Sequence, residues 1–183
     1  MAELATARVA PQWNEAEWLH TMPPAARFIL QGDADARAAA GQVWGVTLSD
    51  EPCRARTIGG RAALWLGPDE QLLLGPESEL QSLAGRLTTA LAGRPHSLVD
   101  VSHRQLALEV SGRHASALLS VGCPLDLDLA QFPTGMCTRT LFAKAEIVLW
   151  RTGDNRFQLE VWRSFADYVA RAFIEASRDF ARD

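Results

Sequence analysis

Several kinds of segment are missing from this sequence. No apolar run approaches the roughly 20 residues that a membrane-spanning helix needs. The opening stretch, MAELATARVA, carries two charges of opposite sign and no apolar core, so a secretory signal is not expected there. Neither a G-x-G-x-x-G nor a G-x-x-x-x-G-K-[ST] fingerprint occurs, which leaves no dinucleotide or nucleotide loop. Only three cysteines are present, Cys53, Cys123 and Cys137, and none forms a CxxC pair. A closed zinc site needs four clustered ligands, and an odd cysteine count fits no complete disulfide framework, so a reducing, cytoplasmic setting is expected. Basic excess is absent too. Eighteen Lys and Arg stand against 22 Asp and Glu, a formal charge of −4, which argues against nucleic acid and against an anionic membrane surface as partners.

What remains reads as one globular α+β domain of 183 residues, 48% hydrophobic and 22% charged. Residues 1–26 read as an extended arm. Trp13 and Trp18 stand among Pro11, Pro23 and Pro24 without a sustained period, and both tryptophans call for burial on this domain or on a partner. Residues 27–183 read as the domain. Arg27–Gln31 is a strand, and Asp33 caps an Ala-rich helix from Ala34 to about Val43. Thr57–Leu66 and Glu70–Leu74 are strands joined by the turn Gly67-Pro68-Asp69. Ser78 and Gln81 have capping-box spacing at the head of a helix running to Leu91, with Leu80, Leu83, Leu87 and Leu91 on one face.

The second half repeats this plan. Gln105–Val110 alternates as a strand, and a helix follows from Arg113 to Val121. Cys137–Trp150 is strand-like with an interruption near Ala143-Lys144-Ala145. Phe157–Trp162 alternates, and Ser164 caps a last helix with Phe165, Tyr168, Val169, Ala172 and Phe173 at helical spacing. At one offset Leu64-Trp65 aligns with Leu149-Trp150, Asp69 with Asp154 and Leu74 with Leu159. The fold class is therefore α+β, with two pseudo-repeated β-α-β-β-α halves. A mostly antiparallel sheet is expected, with the helices segregated on one side.

No constellation of reactive side chains stands out. Gly59-Gly60 lies inside a strand pattern, opens no helix and reads as a bulge. The histidines, His20, His96, His103 and His114, show no metal spacing. Ser102 and His103 are neighbours in sequence, whereas a nucleophile and its base converge from separate elements, so Asp100 and Ser102 read as turn residues. Asp126 and Asp128 read as a solvated loop edge, Glu146 as an outward strand residue and Cys137 as a buried, inert thiol. No catalytic, cofactor-binding or metal residue is assigned.

One block does carry a resemblance. Asp100-Val101-Ser102-His103, followed by Glu109-Val110-Ser111-Gly112, Ala115 and Leu118-Leu119, resembles the DxSH…VxGxxAxxxL signature of the glycine cleavage T-protein folate-binding domain and its relatives. Asp154–Val161 resembles that family's later strand pair. Trp162–Val169 and the short length most resemble the gamma-subunit family of heterotetrameric sarcosine oxidase, over about residues 25–180. The resemblance implies the T-protein-like fold and an accessory role in a complex that oxidatively demethylates sarcosine to glycine, passing the one-carbon unit to tetrahydrofolate. It implies alpha, beta and delta subunits as partners, with FAD, FMN, NAD, tetrahydrofolate and zinc held in those partners and none in this chain. The paired acids of the T-protein are replaced by Leu141–Ile147, and only Thr134–Cys137 stands near the K-G-C-[YF]-x-G-Q motif of related repair proteins. A stand-alone folate-binding aminomethyltransferase and a gamma-like subunit acting with an N-methylglutamate dehydrogenase are the alternatives. Trp13, Trp18 and Trp162 are the candidate interface residues.

Overall fold

The computed structural model describes residues 16–180, so Trp13 lies outside the described residues. Among the described residues, ten strands form two antiparallel sheets. The first holds β3 (Ala55–Ile58), β4 (Arg61–Trp65), β5 (Glu70–Pro76), β2 (Ala25–Gly32) and β6 (His96–Asp100), in that order. The second holds β8 (Cys137–Phe142), β9 (Ala145–Gly153), β10 (Arg156–Trp162), β7 (Gln105–Ser111) and β1 (Leu19–Thr21). The orders match strand for strand, so the repeat legible in sequence is also a repeat of sheet topology.

The halves are interleaved. β1 precedes the first half yet pairs with β7 of the second, Leu19 opposite Val110. β6 precedes the second half yet pairs with β2 of the first, Phe28 opposite Asp100. Each half thus lends its leading strand to the other's sheet. The segment expected as an extended arm therefore supplies a strand from Leu19, which is fully buried.

Helices cover both outer faces, which corrects the expectation of one sheet with helices on one side. Along β2 the residues Ala26, Phe28 and Leu30 point to α1 (Ala34–Trp44) and α2 (Leu80–Leu91). Phe157, Leu159 and Val161 of β10 point to α3 (Ala115–Ser120) and α4 (Arg163–Ser177). The opposite faces, with Leu64, Leu72, Leu74, Cys137 and Val148, meet between the sheets. Leu72, Leu73 and Leu74 are all buried because β5 is covered on both sides, and that is what a four-layer helix–sheet–sheet–helix stack demands.

Local chemistry explains most element ends. The Asp33 carboxylate accepts from the Ala36 N–H at 2.9 Å, capping α1. Thr57–Leu66 is a hairpin and not one strand. Gly59 and Gly60 take φ of 52° and 80°, the paired left-handed conformations of a two-residue turn, and Ile58 faces Arg61 across it. The bulge reading is corrected accordingly. Neither Ser78 nor Ser164 acts as a cap: a 3-10 turn (Glu77–Glu79) leads into α2, and α4 follows β10 directly with Trp162 in the cap position and no side-chain cap. The helix expected over Arg113–Val121 is shorter, Ala115–Ser120. β6 had no expectation at all, because its residues are nearly all exposed and so show no alternation.

Candidate functional site

The motif Asp100-Val101-Ser102-His103 sits at the end of the lent strand β6, where the chain passes into β7. The Asp100 carboxylate accepts from the Ser102 N–H at 2.9 Å, closing a tight turn. Ser102 Oγ then accepts from the Arg27 N–H at 2.9 Å, and the Val101 N–H donates to the Arg27 carbonyl at 2.9 Å. The serine hydroxyl is thus committed to the backbone of β2. Its job here is to clasp β2 to the entry of β7, which agrees with reading Asp100 and Ser102 as turn residues. His103 is exposed at the rim.

Behind this clasp lies a charged group between the sheets that the sequence pattern did not single out. The Arg27 Nε donates to Glu160 Oε2 at 2.6 Å, with the side chains only 2% and 1% exposed. Arg27 also donates to the Ala25 carbonyl at 3.1 Å, and Gln158 Nε2 donates to Glu160 Oε1 at 2.7 Å. Charges this deep persist only when paired and hydrogen-bonded. The signal in sequence was slight: Arg27 opens an otherwise apolar stretch of β2, and Glu160 lies on the polar side of an alternating strand, where it reads as facing solvent.

Beside the clasp opens a cavity of about 480 Å³. Met22, Pro23 and Leu80 give it apolar walls, and Gln105, Arg163 and Asp167 supply polar groups. Gln105 is 7% exposed, and its side-chain carbonyl oxygen has no hydrogen-bond partner among the described residues.

The other candidates are placed as follows. Asp128 accepts from the Ala130 N–H at 2.8 Å and Asp126 from the Asp128 N–H at 3.0 Å, so both acids fold the loop edge they were assigned to. Glu146 points outward, 3.8 Å from Arg139. Cys137 is fully buried, and burial pushes its thiol up to about 12, which keeps it protonated and inert on its own. Arg151, unremarked in the sequence, is buried and donates to the carbonyls of Leu127, Phe132 and Asp154, pinning the loop before β8; burial holds its guanidinium below the usual arginine range. Trp18 packs partly on the chain's own core.

Trp162, at the head of α4, is 40% exposed beneath the Arg104 guanidinium, 4.8 Å from the ring. Phe165 and Tyr168, which share helical spacing with Val169, Ala172 and Phe173, are 42% and 40% exposed. Three large aromatics at three-residue intervals therefore line the exposed start of this helix, a composition typical of the core of a protein interface.

With this geometry established, the comparisons with known proteins are specific. A family model described as "Sarcosine oxidase, gamma subunit family" matches residues 31–179. The sarcosine oxidase subunit gamma of Corynebacterium sp. (strain P-1) is 35% identical over 129 residues, which are 70% of this chain and 63% of that relative. The chain thus spans about three fifths of the length of the curated relatives it matches. A chain of the heterotetrameric sarcosine oxidase from Corynebacterium sp. U-96, solved with pyrrole 2-carboxylate, superposes with a TM-score of 0.83 at 28% identity, over 88% of this chain and 84% of that one. The aminomethyltransferase T of the glycine cleavage system from Bartonella henselae shares the fold, with a TM-score of 0.64 at 13% identity over 87% of this chain and 46% of that one.

Proposed function

The chain belongs to the sarcosine oxidase gamma subunit family, and from that premise we propose that it is the accessory gamma subunit of a heterotetramer that oxidatively demethylates sarcosine to glycine. The one-carbon unit passes to tetrahydrofolate in this reading. Alpha, beta and delta subunits are the partners, and they carry the FAD, FMN, NAD, tetrahydrofolate and zinc sites. The assembly works in the cytoplasm; no helix among the described residues is long and apolar enough to cross a membrane. The observation that carries this reading is the match, in sequence and fold together, to a chain of a heterotetrameric sarcosine oxidase.

The aromatic row at the start of α4 supports a docking role. Solvent gains nothing from three exposed aromatics, whereas a partner that buries them gains roughly 25 cal/mol per Å² of apolar surface. Trp162, with Arg104 stacked on it, is the best-formed anchor, since tryptophan and arginine dominate interface energetics.

Co-expression with the other three subunits tests both points. The chain co-purifies with them, and tryptophan emission of the chain shifts on assembly. Trp162→Ala weakens assembly about tenfold or more, the scale of one anchor worth at least about 1.4 kcal/mol. A chain that never co-purifies, or one that alone turns over sarcosine, would sink the reading. Unchanged assembly by Trp162→Ala and Tyr168→Ala would remove this surface from it.

A further inference from the structure

Two cysteines from opposite halves of the chain meet where the sheets join. Arg54 bridges Met136 in antiparallel register, just ahead of β3 and β8. The Ala55 N–H donates to the Gly135 carbonyl at 2.9 Å, and the Cys137 N–H donates to the Cys53 carbonyl at 2.9 Å. This register sets Cys53 directly across from Cys137. The direct hydrogen bond between their main chains brings the two residues close together, and a disulfide spans Cα atoms about 4.4–6.8 Å apart. Both cysteines are free thiols in this structure.

Three further observations set this pair apart from cysteines that only fill space. Cys53 is held at φ 59°, a left-handed conformation that non-glycine residues seldom adopt and that persists where the surroundings impose it. Cys53 is half-buried, whereas Cys137 is sealed in the layer between the sheets, its Sγ 3.6 Å from the Trp65 carbonyl. The Cys53 thiol also acts electrostatically on Cys137, so the two sulfurs lie within reach of each other's charge. The pair therefore joins one partly exposed cysteine to one that is sealed, the arrangement of a reacting and a resolving thiol.

We propose that Cys53 and Cys137 form an oxidant-sensitive dithiol that closes to a disulfide across the seam between the two sheets. The oxidant is hydrogen peroxide. The Cys53 thiolate attacks one peroxide oxygen; the S–O bond forms, the O–O bond breaks, and the departing hydroxide takes up a proton to become water. The Cys137 sulfur then attacks the Cys53 sulfenyl sulfur; the S–S bond forms, the S–O bond breaks, and the departing hydroxide leaves with the Cys137 thiol proton as a second water. Two thiols and one hydrogen peroxide give one disulfide and two waters. Only the origin of the oxidant rests on the proposed function, since an oxidase that reduces dioxygen by two electrons generates peroxide beside its own subunits. The bond would lock β3 of the first half to β8 of the second, leaving Cys123, buried under α3, untouched.

The test treats the native full chain with hydrogen peroxide, then denatures it, alkylates free thiols and maps the peptides. The expected result is loss of alkylation at Cys53 and Cys137 together, a linked peptide lighter by two hydrogens, and full alkylation of Cys123. In Cys137→Ser the Cys53 sulfur stops at the sulfenic acid and is trapped by dimedone; in Cys53→Ser the Cys137 thiol stays alkylatable. The proposal is overturned if peroxide oxidises Cys53 while Cys137 remains free, if all three cysteines are alkylated after treatment, or if the link includes Cys123. The readout is chemical and needs no partner, so a chain that assembles normally yet forms no link sinks this proposal and leaves the proposed function intact.

Discussion

The Arg27 guanidinium and the Glu160 carboxylate meet at 2.6 Å between the sheets, each almost wholly removed from water. Their attraction offsets a large desolvation cost, and neither tolerates the loss of the other. Arg27→Met, which strands the carboxylate, is expected to lower stability by about 3–5 kcal/mol. Replacing both residues with well-fitting apolar side chains recovers most of that loss, because no buried charge is then left alone. Urea denaturation of the two single variants and the double variant measures the coupling. Additive single losses would show that the pair is not a pair in energetic terms. At this scale the sequence spoke unevenly. Asp33 and Asp100 announced their cap and turn roles, and Asp126 and Asp128 their place in a loop, because a short acid satisfies backbone amides within its own few residues. Arg27, Glu160, Gln105 and Arg151 gave little sign, since their partners lie far along the chain.

Among the elements, the β3–β4 hairpin shows how two glycines decide a path. Consecutive left-handed residues reverse the chain in two steps, where a bulge would only bend it. Gly60→Val, forcing a branched side chain to φ 80°, is expected to cost about 1–2 kcal/mol, while Gly59→Asn, whose short polar side chain tolerates this region, stays near neutral. Thermal denaturation separates the two; equal losses would argue against the paired left-handed turn. The elements best foreseen were those with a strong period or a side-chain cap: α1, β7, β10 and the leucine face of α2. Phe165 and Tyr168 share helical spacing with Val169 and Phe173 but not their burial. Helical spacing groups residues broadly and does not fix how much of the face meets the sheet; α4 turns Val169 and Phe173 inward together with Ala166.

For the whole molecule, the exchange of leading strands has a mechanical consequence. Neither half can complete its sheet alone, because β1 belongs to the second sheet and β6 to the first. The two halves are therefore expected to melt as one unit, and Leu19→Ala, cutting a fully buried side chain in the lent strand β1, to lower the single transition by about 2–5 kcal/mol. Calorimetry gives the answer: two separate transitions, or a Leu19→Ala effect confined to one of them, would show that the exchange does not couple the halves. The sequence by itself determined the α+β class, the internal repeat, the membership suggested by the Asp100–His103 block and the Gly112 region, and most helices and turns. These depend on period, on backbone-seeking side chains and on turn residues, all of which act within a few positions. Only the tertiary structure decided that there are two sheets and not one, that each half lends a strand to the other, that Arg27 meets Glu160 and Cys53 meets Cys137, and that Trp162, Phe165 and Tyr168 at the start of α4 face solvent while Phe173 does not. Those outcomes depend on which faces pack together, and a strand apolar on both sides leaves that choice open until the layers close around it.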